Sequence, residues 1–308
     1  MDVQINKKKG ESFTLEQYGI LVKDFIVSSI PLESTYGNVE GGDRKIDYGA
    51  KYGTRTIRVP FVLRAYDLMD FPLLRDVLFD LVLDKESFHI REMRRVKKLA
   101  YAFVDPSEPA RMDPDTNNQF VGGKRYLVRL QNTFDIDQIE IDGEGELVFE
   151  TTELPFSESI GTTQDIQQNG ISANDELWGF GMGLIDDPDS FIYTHSNKTE
   201  FKIYNAGNAD IHPFEQDLKI EIEFPTTVQT NNYFQLKNVT NGSTFRVNEQ
   251  VLPLQKFVLD GPNITRNGLN ALRMTNRQFI TLDPGWNEFE VSGNTMATIR
   301  FDFRFYYH

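Results

Sequence analysis

The chain closes on Ile299-Arg300-Phe301-Asp302-Phe303-Arg304-Phe305-Tyr306-Tyr307-His308. Ile299, Phe301, Phe303, Phe305 and Tyr307 take one parity; Arg300, Asp302, Arg304, Tyr306 and His308 take the other. A period of two describes a strand with one buried and one wet face. Each buried Phe stabilises by roughly 1.5–3 kcal/mol, so such a strand is held in a core. The reading therefore predicts a β-sheet domain completed by these last residues.

The same alternation recurs upstream. Phe201 and Ile203, then Leu218, Ile220, Ile222 and Phe224, alternate with Lys219, Glu221 and Glu223. Asn241-Gly242 and Asn267-Gly268 are tight-turn signals. Short strands broken by turn residues about every ten positions describe a β-sandwich or jelly roll over 177–308. Gly179-Phe180-Gly181-Met182-Gly183 has no base nearby to hold a phosphate and reads as a strand with close backbone packing. Residues 157–176 are rich in Ser, Thr, Gln, Asn and Asp and read as a linker.

Residues 1–156 read as a β-rich α+β domain with one principal helix. Ile57, Val59, Phe61 and Leu63 share one parity, and Pro60 on the other suggests an edge strand or a bulge. Asp70 stands at an N-cap position and Pro72 lies in the first turn. Phe71, Leu74, Leu78 and Leu81 repeat at three and four, predicting a helix that ends near 83–85. Strands are expected over 124–131 and 146–152, with Asp142-Gly143-Glu144-Gly145 as a turn between strands. Residues 33–53 hold five glycines among charged and Tyr residues. They read as a protruding hairpin whose open edges pair with a neighbour, or else as a mobile loop.

A length of 308 residues suits two domains. The absence of cysteine excludes disulfides, zinc-thiolate sites and thiol nucleophiles. Residues 1–10 are polar with no apolar stretch following, and no apolar run approaches the roughly 18 residues a membrane span needs. Folding in a cytoplasm and no membrane partner are the expectations. The net charge of −14 divides as −6 over 1–156 and −8 over 157–308, so neither half carries the clustered bases that phosphate binding requires. Residues 130–197 contain 15 Asp and Glu and no Lys or Arg. That stretch is a solvated face with an acidic linker, or a surface that repels a polyanion.

Catalytic motifs are missing. His89, His195, His212 and His308 form no HxH or HExxH spacing, and there is no GxSxG elbow or phosphate-binding GxxxxGK[ST]. Asp135, Asp137, Glu140, Asp142, Glu144 and Glu146 form the densest carboxylate cluster. Paired carboxylates could cleave a glycoside, and oxygen clusters can bind calcium, but Ile139 falls where a calcium-loop ligand belongs. On a hairpin these acids would also divide between two faces. Arg91, Arg94, Arg95, Lys97 and Lys98 form the one basic run: a solvated segment, or a candidate inter-subunit patch that meets the acidic stretch of a neighbouring copy. No cofactor and no metal are expected.

Several segments together resemble the distal tail proteins of long-tailed phages infecting Gram-positive bacteria. Tyr204-Asn205-Ala206-Gly207-Asn208 followed by Ile211-His212-Pro213 is similar to the family's Asn-Pro-Gly segment, with Ala206 in place of Pro. Leu259-Asp260-Gly261-Pro262, the turn Leu282-Asp283-Pro284-Gly285-Trp286-Asn287 and the aromatic end at 301–307 follow in the family's order. So do the Gly-rich hairpin, the 55–64 strand, the 71–83 helix and the 149–156 segment in the first half.

The resemblance implies a non-catalytic structural hub at the virion tail tip. Six copies would form a ring from their N-terminal domains, with the hairpin belting the next subunit. A galectin-like C-terminal domain, similar to carbohydrate-binding modules, would project outward. Implied partners are the tail tube protein, the tape-measure protein, a tail-associated hub or fibre protein and a receptor-binding protein. DNA would pass through the channel without specific binding, and the 135–146 acids would face that lumen. The rival reading is a module that grips cell-wall sugar, with Trp286 as the stacking aromatic.

Overall fold

The computed structural model describes residues 1–38, 40–95, 118–171, 176–179, 181–185, 187–228 and 233–308, with 95, 118 and 119 as backbone. The chain divides into two compact units. The first comprises Met1–Val121 and Arg125–Pro155, the second Gly122–Lys124 and Phe156–His308.

The strands from the N-terminus are β1 (Asp2–Asn6), β2 (Ser12–Thr14), β3 (Ile20–Val22), β4 (Ile26–Val27), β5 (Leu32–Asn38), β6 (Lys45–Tyr52), β7 (Thr56–Arg64), β8 (Phe88–Arg95), β9 (Asn118–Phe120), β10 (Lys124–Leu130), β11 (Asp137–Ile139) and β12 (Asp142–Thr151). They pair in the order β2-β1-β8-β10-β12-β7-β3, with β9 added to β8, β11 to β12 and β4 to β7. The helix α1 (Phe71–Val82) turns Phe71, Leu78 and Val82 into the core. There they join Ile57, Val59, Phe61 and Leu63 of β7, Leu147 and Phe149 of β12, and Val3 and Ile5 of β1. The three-and-four spacing of apolar residues thus becomes the covered stripe of the helix.

Three local expectations are corrected here. β7 is not an edge strand: β12 lies along one side, β3 and β4 along the other. Pro60 falls in the gap between β3 and β4, where its missing N–H breaks no ladder bond, and its carbonyl accepts from Lys23 N at 2.8 Å. The turn expected at 142–145 lies earlier, around Glu140 with φ 56°. Gly143 and Gly145 are strand residues chosen for space, since a Cβ on either would stand 2.7 Å from a ring atom of Phe71 or Phe61 respectively. Asp70 precedes α1, but its side chain caps no helix N–H. It accepts instead from Tyr66 N at 3.4 Å.

Among the described residues β5 and β6 pair only with each other and form a separate two-stranded sheet. The hairpin expected at 33–53 is therefore present, with a register shift between Ser34 and Tyr36.

The second unit contains β13 (Ser157–Ser159), α2 (Thr163–Asn169), β14 (Thr194–Ser196), β15 (Glu200–Asn205), β16 (Leu218–Glu223), β17 (Phe234–Asn238), β18 (Thr244–Val247), β19 (Lys256–Asp260), β20 (Asn263–Arg266), β21 (Leu269–Asn270), β22 (Gly285–Gly293), β23 (Thr298–Phe303) and β24 (Tyr306–Tyr307). One sheet runs β14-β23-β16-β19-β20-β21 and another β15-β22-β17-β18. Phe301 of β23 meets Phe289 of β22 at 5.1 Å and Phe201 of β15 at 6.1 Å between ring centroids. Rings from both sheets thus share one core, which makes this unit a β-sandwich. Asn267 and Gly268, both at positive φ, make the tight turn between β20 and β21.

Residues 157–176 are not a linker over their described part, 157–171. Thr162 caps α2 in a reciprocal capping box with Asp165, and Thr163 and Ile166 are buried. Thr163 Oγ1 donates to the Phe301 carbonyl and accepts from Phe303 N, both at 3.1 Å. Ser159 Oγ accepts from Phe305 N at 2.9 Å. The closing strand breaks at 304–305, and these hydroxyls satisfy its backbone where a ladder partner is lacking. Polar composition here reflects buried hydrogen bonding and not solvent. The break also turns Tyr306 inward against the expected alternation, its hydroxyl accepting from Asp217 N at 3.0 Å.

Around Gly179 to Gly183 the described residues form no strand. The close backbone approach is real: a Cβ on Gly183 would lie 2.3 Å from the Ala206 carbonyl oxygen.

Candidate functional site

No cleft gathers reactive side chains among the described residues, and no group of three or more His, Asp or Glu is placed to hold a metal ion. No helix among the described residues is long and apolar enough to cross a membrane. What the fold does present is a set of exposed surfaces.

The hairpin β5–β6 is the first. Leu32, Tyr36, Ile46, Tyr48 and Tyr52 are all exposed on it. Across the ladder, Leu32 opposes Tyr52 and Tyr36 opposes Asp47 on one face. Tyr48 covers Gly37 on the other, where a Cβ would meet its ring at 2.6 Å. A two-stranded ribbon has no core of its own and is marginal in water. Three exposed tyrosines give this ribbon a large apolar surface facing solvent.

The wet face of the large first-unit sheet is the second. The register puts Asp142, Glu144 and Glu146 of β12 and Asp137 of β11 on one side of the sheet, not two. Arg64 grips Asp142 through Nε and Nη2 at 2.8 and 3.0 Å. That pairing holds the Asp142 carboxyl below the usual carboxylate range. Lys23 pairs with Glu144 at 2.8 Å, and Arg58 stands 3.8 Å from Glu146. Half of the acidic cluster is thus matched by bases on β7 and after β3, which sequence distance concealed. Asp135, Asp137 and Glu140 are exposed and have no basic partner among the described residues.

Two members of the basic run, Arg91 and Arg94, are described. Arg91 is buried, its guanidinium 3.3 Å from the Phe120 ring centroid. Arg94 pairs with Glu92 at 2.6 Å. Lys97, Lys98 and the side chain of Arg95 lie outside the described residues. A different basic surface is assembled: a groove of about 640 Å³ lined by Lys7, Lys8, Lys85, Arg125 and Arg129, with Glu86 and Glu153. These bases come from the end of β1, the segment after α1, and β10. No run in the sequence announces them; only the strand order brings them together.

Trp286 is the second residue of β22 and is not in a turn. It is half-buried, with the Tyr204 ring 5.0 Å away. It lines a groove of about 690 Å³ with Asp187, Asp189, His195, Lys198 and Lys202. Of the histidines, His195 stacks on Phe201 at 4.3 Å, and burial lowers its pKa.

Residues 8–151 match the model of the family described as phage tail protein RIFT-related domain. No curated relative matches the sequence. Among solved structures, the crystal structure of the Dit protein of phage SPP1 superposes with a TM-score of 0.60 at 13% identity, covering 98% of this chain and 99% of that one. That protein is described as a paradigm of the hub adsorption apparatus in phages infecting Gram-positive bacteria. A chain of the phage p2 baseplate in its activated conformation aligns with a TM-score of 0.38 at 9% identity, covering 98% and 97% of the two chains.

The chain as a whole has the β-built fold of that Dit protein. That fold extends along nearly the full length of both chains.

Proposed function

We propose that this chain is a structural hub of a phage tail tip, with copies closing a ring around the DNA channel. The observation that carries the reading is the hairpin β5–β6, an aromatic ribbon detached from the sheets of its own chain. A donated element of this kind makes a head-to-tail contact, and such contacts close into rings when the rotation allows. Six copies, a tube and tape-measure protein on one side, and a hub or fibre protein with receptor-binding proteins on the other, follow from the family resemblance. The role is docking, without catalysis. Gold-labelled antibody against the chain should decorate the distal end of the tail in electron micrographs of the virion. Label on the capsid or along the whole tail overturns the reading.

A second reading rests on Trp286. A half-buried indole beside Asp187, Asp189 and Lys198 is the composition of a sugar subsite, with a ring to stack on and polar groups to fix hydroxyls. The full chain on an array of cell-wall glycans tests it. Binding lost in Trp286→Ala supports it, and no binding to any wall polymer removes it.

A further inference from the structure

We infer that the basic groove of one copy receives the acidic β11–β12 turn of the next. The inference rests on the ring reading and names a second contact within it.

The two surfaces lie on one wet face and cannot meet within a chain. Asp137 opposes Glu144, and Arg129 opposes Glu150, along the same edge of β12. Six residues of strand separate them, roughly 20 Å. Each is left with unmatched charge. In the groove Lys8, Lys85 and Arg129 are exposed and pair with no carboxylate among the described residues. Among the described residues Arg129 reaches Ser87 Oγ, at 3.4 Å. At the turn Asp135, Asp137 and Glu140 are equally unmatched, and between them stands Ile139, 64% exposed.

An anchor of this type, an apolar side chain ringed by charge, suits a concave basic seat. Association must also overcome repulsion, because every copy carries a net charge of −14. A cationic groove on so acidic a chain is matched to an acidic occupant, and this chain supplies one in its β11–β12 turn.

The experiment uses the full chain. Carbodiimide joins amines to carboxylates in direct contact, so a mixture of 15N-labelled and unlabelled chain should give intermolecular cross-links between Lys8 or Lys85 and the 135–140 acids. Reversing the groove (Lys8→Glu, Lys85→Glu, Arg129→Glu) or the turn (Asp135→Lys, Asp137→Lys, Glu140→Lys) should weaken self-association by about tenfold or more. Mixing the two variants should restore it as an alternating assembly, which excludes misfolding as the cause. Assembly untouched by either reversal overturns the inference and leaves the ring reading standing. A single-copy chain without cross-links overturns both. Retention of a DNA duplex by the groove, with no cross-link to the turn, assigns the groove to a polyanion and also overturns it.

Discussion

Asn238 and Asn287 meet in the interior of the second unit, Asn238 Nδ2 donating to Asn287 Oδ1 at 2.9 Å with both residues at 0% exposure. The same Asn287 oxygen accepts from Asp283 N at 2.9 Å, and its amide donates to the carbonyls of Asp283 at 2.8 Å and Gly285 at 3.2 Å. One side chain thereby ties the turn before β22 to β17 in the same sheet. This is what the segment Leu282-Asp283-Pro284-Gly285-Trp286-Asn287 accomplishes physically.

Asn287→Ala should destabilise the second unit by about 2–3 kcal/mol, because it leaves buried polar groups without partners. Urea unfolding followed by tryptophan fluorescence measures this, since Trp178 is buried in that unit. A change below about 0.5 kcal/mol, the range of ordinary surface substitutions, would deny the network its role.

His195 makes the second unit acid-sensitive. Burial lowers its pKa from 6.5, so the folded state resists the proton that the unfolded chain accepts. This contribution is fully present above pH 6.5 and is lost progressively as pH falls from there to the lower folded value. Thermal melts across pH 5 to 8 should show the decline, and His195→Leu should flatten it. An identical pH profile in the variant would contradict the assignment.

Asp142 works at lower pH. Its pairing with Arg64 lowers its folded pKa below 3.8, so its stabilisation is present above that value and disappears as pH falls through the folded one. Arg64→Gln should lower the first unit's stability above pH 5 slightly, because exposed pairs contribute little, and leave the fully acid end unchanged, so that the fall on acidification is shallower.

The hairpin tyrosines should separate assembly from folding. Substituting Tyr36, Tyr48 and Tyr52 by Ser removes exposed apolar surface from a ribbon outside the core. Monomer stability should shift by less than about 0.5 kcal/mol per site, while self-association falls. Loss of folding instead would place these rings in a core.

Period-two patterning made the β-rich architecture legible and three-and-four spacing the helix Phe71–Val82, because burial on one face imposes each directly, while the hairpin showed in its glycines. The segment 157–171 misled because Ser159 and Thr163 are polar residues serving a buried backbone, and composition does not distinguish that from solvation. The placement of basic residues was hidden for a related reason. Arg91 buries its guanidinium over Phe120, while Lys8, Lys85 and Arg129, far apart in sequence, share a groove through the order of β1, β8 and β10. Charge proximity in a sheet depends on strand order, which local pattern does not encode.

The central claim is that this chain closes on copies of itself. Native mass spectrometry of the purified full-length chain over a concentration series measures this directly. A closed species of six chain masses that dissociates on dilution or at high salt is the expected result; one chain mass at every concentration would contradict it.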